Sequence, residues 1–159
     1  MKRLLLLLIL ALPQGLAAQS KAIETFFDRH AAAEGVTCVQ LEPKMMQLMS
    51  AQARERGDDQ LATLLRNIRF IRIIALKEGD RERFVEEAGR ALASGGGFPL
   101  VTSTTEQGQR TEFYLQNRSF SECSELVMLT YGSKETVFVD IFGIFDLKQV
   151  MRLSSVRPQ

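Results

Sequence analysis

The sequence predicts an α+β domain: a mostly antiparallel sheet of about five or six strands with helices mainly on one face. Three observations predict it. Apolar residues recur at helical spacing through the first half of the chain. They alternate with a period of two through the second half. Gly-bearing breaks separate the second-half segments at hairpin spacing. The 159 residues are 45% hydrophobic and 25% charged, with four Pro, eleven Gly, two Cys and no Trp. That composition excludes collagen-like, coiled-coil, disordered and multi-pass membrane chains. A chain of this length builds one core by default. Its formal charge of +1 argues against dedicated nucleic-acid binding.

The first residues read as a leader rather than as part of the fold. Lys2 and Arg3 precede an unbroken apolar run from Leu4 to Leu12, followed by Pro13, Gln14, Gly15 and the small-residue stretch Leu16-Ala17-Ala18. This is the basic, apolar, small-residue order of a secretory signal peptide. The run is shorter than the roughly 20 apolar residues that span a bilayer. The order places cleavage after Ala18, with Ala17 and Gln19 as the neighbouring alternatives. Residues 1–18 are thus the leader, 19–153 the single α+β domain and 154–159 a polar tail. Loss of Lys2 and Arg3 takes the basic count from 20 to 18 against 19 acidic residues. The expected location is periplasmic or secreted, with no membrane span after cleavage.

The elements follow in order. Residues 21–34 read as a helix, with Ile23, Phe26, Phe27, His30 and Ala31 on one stripe and Gly35 as its stop. Val36 to Leu41 is a short β-branched strand. Glu42-Pro43 opens a second helix, because Pro has no N–H to lose in a first turn. Met45, Met46, Leu48, Met49 and Ala53 give that helix its apolar side, and Gly57 stops it. Asp58-Asp59 start a third helix carrying Leu61, Leu64, Leu65 and Ile68. Phe70 to Leu76 is apolar except at Arg72, as in a strand covered on most of both faces. Gly79-Asp80 caps a fourth helix with Phe84, Val85, Ala88, Ala91 and Leu92 on one face. A meander then runs through strands 99–105, 110–117, 124–131 and 135–142, turning at 106–109 and at Gly132-Ser133. Asp146 and Gln149 form a capping box for a last helix that Leu147, Val150, Met151 and Leu153 dock.

Chemistry-bearing residues are few and scattered. Cys38 and Cys123 are the only cysteines. An even count in an oxidising compartment fits a bridge, closing a loop worth roughly 4–5 kcal/mol of chain entropy. Two free cysteines acting as small core hydrophobes fit as well. The one histidine, His30, lies on an apolar stripe, where a packed or edge imidazole is the ordinary reading. It is the only available base for Cys38, and no nucleophile-elbow pattern accompanies it. Three Cys and His residues are too few for a zinc site. Met45, Met46 and Met49 read as core filling rather than as soft copper ligands. Ser94-Gly95-Gly96-Gly97 follows a helix and leads into a strand, the reverse of a phosphate loop. Asp140, between Phe138 and Phe142 in the two-residue period, is expected to be solvated at a strand end or to accept a bond from Arg or Lys.

Several of these segments resemble one exported bacterial family. They are Val39-Gln40-Leu41-Glu42-Pro43-Lys44-Met45-Met46, Asn67 to Ile74, Ser124 to Leu129, and Phe142-Gly143-Ile144-Phe145-Asp146-Leu147-Lys148-Gln149-Val150. The chain resembles the domain of unknown function 4252 family over nearly all of its mature length. The resemblance implies the fold and export, and carries no catalytic or ligand residue across. Many relatives look like lipoproteins; this chain departs from them in lacking a cysteine after the apolar run.

Two functional classes follow. One is a non-catalytic periplasmic interaction or accessory module, envelope-related, with no cofactor and no metal. Its partner would be a protein or small molecule. The other is a small hydrolase or thiol enzyme using Cys38 with His30. The lack of clustered titratable groups favours the first. The meander carries apolar side chains at both parities: Val127, Leu129, Val137 and Val139 against Leu126, Met128, Phe138 and Phe142. The less covered set is expected to form the partner site, and Phe138 and Phe142 are taken as the candidate interaction face.

Overall fold

A computed structural model describes residues 20–94, 97–117, 124–145 and 148. Its elements are α1 (Lys21–Ala31), β1 (Val36–Leu41), α2 (Pro43–Glu55), α3 (Asp59–Asn67), β2 (Ile68–Leu76), α4 (Arg81–Ala93), β3 (Leu100–Glu106), β4 (Gln109–Asn117), β5 (Ser124–Gly132) and β6 (Thr136–Gly143). The six strands make one sheet in the order β1-β2-β6-β5-β4-β3, with every neighbouring pair antiparallel. The α+β class and the antiparallel sheet stand as read from the sequence. The last helix predicted, from Asp146, lies outside the described residues.

Local chemistry sets the element ends. Asp58 accepts a hydrogen bond from Leu61 N and Asp80 from Arg83 N, each at 2.9 Å, so both acidic starts are true N-caps. Pro43 occupies the first turn of α2, as expected. The first helix ends at Ala31, with the last residue of its apolar stripe and short of the expected bound at residue 34, and a short turn leads to Gly35. Gly35 has φ +76°, and a Cβ there would meet the Glu78 carbonyl oxygen at 2.5 Å, so the turn between α1 and β1 requires glycine twice over. At the other end of the sheet, a Cβ on Gly143 would collide with the Asn67 carbonyl and with Ile68 Cα. There the backbone of β6 passes directly over the α3–β2 junction.

Cross-strand partners share a face, so the registers sort the sheet. One face carries Ile74, Leu76, Phe138, Val127 and Leu129. Packed against it are Ile23, Phe26 and Phe27 of α1 and Phe84, Ala88, Ala91 and Leu92 of α4. The other face carries Leu41, Ile71, Ile141, Leu126, Phe113 and Leu115. At that end it is covered by Met46 and Ala53 of α2 and by Ala62, Leu64 and Leu65 of α3, with Phe145 beside them. The larger buried cluster lies under α1 and α4; the second face bears the α2–α3 hairpin at one end.

The registers correct one grouping drawn from periodicity. Leu129 pairs with Phe138, and Met128 with Val139. Val127 and Leu129 therefore belong with Phe138 and Phe142, not with Val137 and Val139. Two-residue alternation fixes parity within a strand, but the hairpin turn fixes it between strands, and a slip of one residue exchanges the faces.

Candidate interaction surface

Phe138 and Phe142 are 0% and 4% exposed. The Phe138 ring lies 4.7 Å from Phe26 and 5.6 Å from Phe27, centroid to centroid. These two residues are core and cannot be the interaction face, because α1 sits on their parity of β6. The less covered parity is the opposite one. Val137 and Val139 are half-buried, as are Ile73 and Ala75 on β2 and Met128 on β5, while Val39 on β1 is 41% exposed. The α2–α3 hairpin covers Ile71 and Ile141 but stops short of these neighbours. Four adjacent strands thus present an aliphatic strip that opens toward the β1 edge of the sheet. Met45, Leu48 and Met49 add exposed apolar surface on α2, the element that follows β1 in the chain.

Cys38 and His30 do not form a site. Cys38 is an exposed free thiol on β1. His30 packs tilted against Phe26 and edge-on against Phe84, at 4.5 and 4.9 Å between ring centres, and its Nε2 lies 2.8 Å from Glu87 Oε2. No hydrogen bond joins the thiol to the imidazole among the described residues. Arg83 donates to the other Glu87 oxygen at 3.0 Å. Arg83, and after it His30, holds the Glu87 carboxyl below its ordinary range against the opposing effect of burial. The imidazole therefore ties α1 to α4.

Cys38 is a free thiol, and the expected Cys38–Cys123 bridge is not shown. Cys123 itself lies outside the described residues, but Ser124 is placed. Cys38 pairs with Ile74, whereas Ser124 pairs with Gly143, which pairs with Ile68. The two levels are separated by three strand spacings, about 14 Å, and by six residues along β2, about 20 Å.

Two polar networks lie within the sheet on the α1–α4 face. Arg72 and Asp140 pair across β2 and β6 at 3.3 Å, with Asp140 fully buried. The Arg72 guanidinium stands over the rings of Phe27 and Phe70, at 4.7 and 4.8 Å. Of the two surroundings expected for Asp140, the bond to an arginine is the one observed. The second network was not anticipated. Glu112 on β4 accepts from Arg110 Nε at 2.7 Å, from the Tyr114 hydroxyl at 2.6 Å and from the Tyr131 hydroxyl at 3.2 Å. These donors hold its carboxyl below the ordinary range despite desolvation, while burial first and then Glu112 raise both phenols. Arg110, Glu112 and Tyr114 at alternate positions were a legible signal; Tyr131 enters only through the β4–β5 register. Beside it, under the start of α4, a cleft of about 410 Å³ is lined by Val85, Tyr131 and Thr136, with Arg81, Glu82 and Glu86 around it. Both Glu112 oxygens are already engaged, which suits a fixed structural acceptor rather than a proton-transfer group.

Among the described residues no three His, Cys, Asp or Glu side chains converge to hold a metal ion. No described helix is long and apolar enough to cross a membrane. What fold and surface define is an α+β sheet domain with one partly open aliphatic face. More narrowly, the chain belongs to the DUF4252 family, a domain of unknown function, whose model matches residues 30–153. No curated protein and no solved structure matches the chain.

Proposed function

We propose that this protein is an exported, non-catalytic interaction module of the bacterial envelope that binds its partner through the open half of the second sheet face. The observation that carries the reading is the aliphatic strip of Val39, Ile73, Met128, Val137 and Val139, which the α2–α3 hairpin leaves partly open. A strip of contiguous, partly exposed apolar side chains supports recognition of another apolar surface. The leader-like order of residues 2–18 supports placement in the periplasm. The isolation of Cys38 from His30 weighs against the thiol-enzyme alternative.

Site-specific photo-crosslinking in the periplasm tests it. A crosslinker at Val39 or Val139 is expected to capture a discrete adduct that a crosslinker at Thr105, on the opposite edge, does not. Val139→Glu should abolish the adduct formed from position 39 in protein that still unfolds cooperatively; the site is half-buried, so a loss of stability of about 1–3 kcal/mol is expected alongside. Identical adducts at Val39 and Thr105, or adducts unaffected by Val139→Glu, would overturn the reading.

A further inference from the structure

The two edges of the sheet differ. β3 is blunted, because Pro99 precedes it and its pairing with β4 slips between Leu100 and Thr102. β1 has neither device. Val36-Thr37-Cys38-Val39-Gln40-Leu41 carries no charge and no proline, and its register on β2 runs without a break. The Lys77 N–H donates to the Gly35 carbonyl at 2.9 Å, so the odd positions of β1 turn their backbone groups to β2. Val36, Cys38 and Gln40 turn theirs outward along the open edge. Thr37, Cys38, Val39 and Gln40 are all exposed.

We propose that β1 pairs antiparallel with β1 of a second copy, about a two-fold axis normal to the sheet, joining the two sheets into one. This goes beyond the reading of the open face, since it uses the edge. Such an axis keeps each parity on its own face, so opposed residues share parity. Two registers cover most of the strand: Cys38 opposite Cys38, or Val39 opposite Val39. Counted past the strand ends, the first sets Glu34 opposite Glu42 of the second copy, and the second sets Glu34 opposite Lys44. Glu34 and Lys44 are exposed and enter no ion pair among the described residues. The chain thus carries the complementary charge for both ends of its own pairing, which selects a second copy as the occupant and Val39 as the centre. In that register Cys38 and Gln40 exchange their outward backbone bonds on both sides of the axis. Val39 meets Val39 as a non-hydrogen-bonded pair, where side chains stand closest. The aliphatic strips of the two copies become continuous. Growth stops at two, because the edges that remain are the blunted β3 strands.

Sedimentation equilibrium of the purified protein tests the pairing, with a dimer expected below about 0.1 mM. Gln40→Pro removes an outward N–H and no bond to β2, so it should weaken the dimer about tenfold or more in protein that still unfolds cooperatively. Glu34→Lys should weaken association about fivefold at low salt, and Lys44→Glu in the same chain should restore it. A monomer at that concentration, or a dimer unchanged by Gln40→Pro, overturns the inference. Should Gln40→Pro fail to fold, Val39→Lys decides: it sets two like charges at the axis, and an unchanged dimer overturns the pairing. Single cysteines in a Cys123→Ser chain read the register, with diamide taking the two hydrogens of each thiol pair. Val39→Cys, combined with Cys38→Ser, should bridge readily to its counterpart at about 4.5 Å between Cα atoms. Cys38 lies diagonal to its counterpart, at about 7–8 Å, and should bridge about tenfold more slowly. Faster bridging through Cys38 overturns the register. In the periplasmic crosslinking described above, an adduct of twice the chain mass reports this pairing and any other mass reports the partner of the open face, so either reading can fail alone.

Discussion

Glu112 gathers three donors from two strands, and its charge is what they share. Replacing it with Gln keeps the shape but weakens three bonds, with an expected cost of about 1–3 kcal/mol in urea unfolding. The pH dependence has a definite sign. Its folded pKa lies below the ordinary glutamate value of 4.5, so its contribution is present above that value and is lost as pH falls through the folded one. Glu112→Gln should therefore flatten the acid limb of the stability profile; an unchanged limb would assign acid sensitivity elsewhere, Glu87 first. Tyr114 runs the other way. Its folded pKa is raised above 10.0, so its contribution holds below 10.0 and fades as pH rises through the folded value. Phenolate absorbance should accordingly lag behind that of a free tyrosine until the protein unfolds. His30→Leu should cost about 1 kcal/mol or less. Glu87 keeps Arg83, and leucine extends the packing of Phe26 and Phe84.

The helix starts are the most separable elements. Asp58→Ala and Asp80→Ala each remove one cap bond and should each lower stability by about 1 kcal/mol in denaturant titration. The two sites lie on different helices against different faces, so the effects should add in the double variant. Gly143→Ala is expected to be far worse, at about 3 kcal/mol or more by the same measurement. Its collision is with backbone on both sides of the α3–β2 junction, and backbone cannot move aside as a flexible side chain can. A small effect there would mean that the junction shifts freely. The caps were legible because acid before an apolar stripe acts within one turn. Gly143 was legible only as the end of a strand, since its crowding comes from a segment 75 positions earlier.

Across the whole molecule, the Arg72–Asp140 pair lies within the sheet, between the adjacent interior strands β2 and β6, and is roofed by Phe27 of α1. Arg72→Met should cost about 3–5 kcal/mol in unfolding experiments, because it takes the cation from a carboxylate that water does not reach. The Asp140→Leu change in the same chain should recover part of that loss, as buried pairs are often replaceable by apolar ones. The separation of Cys38 from the β5 start has its own consequence. Native protein should react with a maleimide at Cys38 without reductant, and intact mass should show no internal bridge. A mass lower by two hydrogens in the monomer would contradict the register on which the separation rests.

Local physics left most of the elements readable. Helical stripes, strand alternation, caps and the Gly35 turn each depend on residues within a few positions of one another; the stripes of α1, α3 and α4, the Asp58 and Asp80 caps and the Gly35 turn stand in the structure, whereas Met45, Leu48 and Met49 of the α2 stripe are exposed. The class of fold followed, because two periods in two halves of a chain leave few ways to bury both. Tertiary structure decided everything that depends on which strands meet. The insertion of β6 between β2 and β5 set Phe138 and Phe142 under α1 and turned Val137 and Val139 to the open side. The same registers carried Cys38 away from Ser124 and brought Tyr131 to Glu112. Side-chain alternation has no memory of neighbouring strands. A pairing shifted by one residue keeps every local signal and reverses the faces, so the surface through which this protein is proposed to act was settled by register alone.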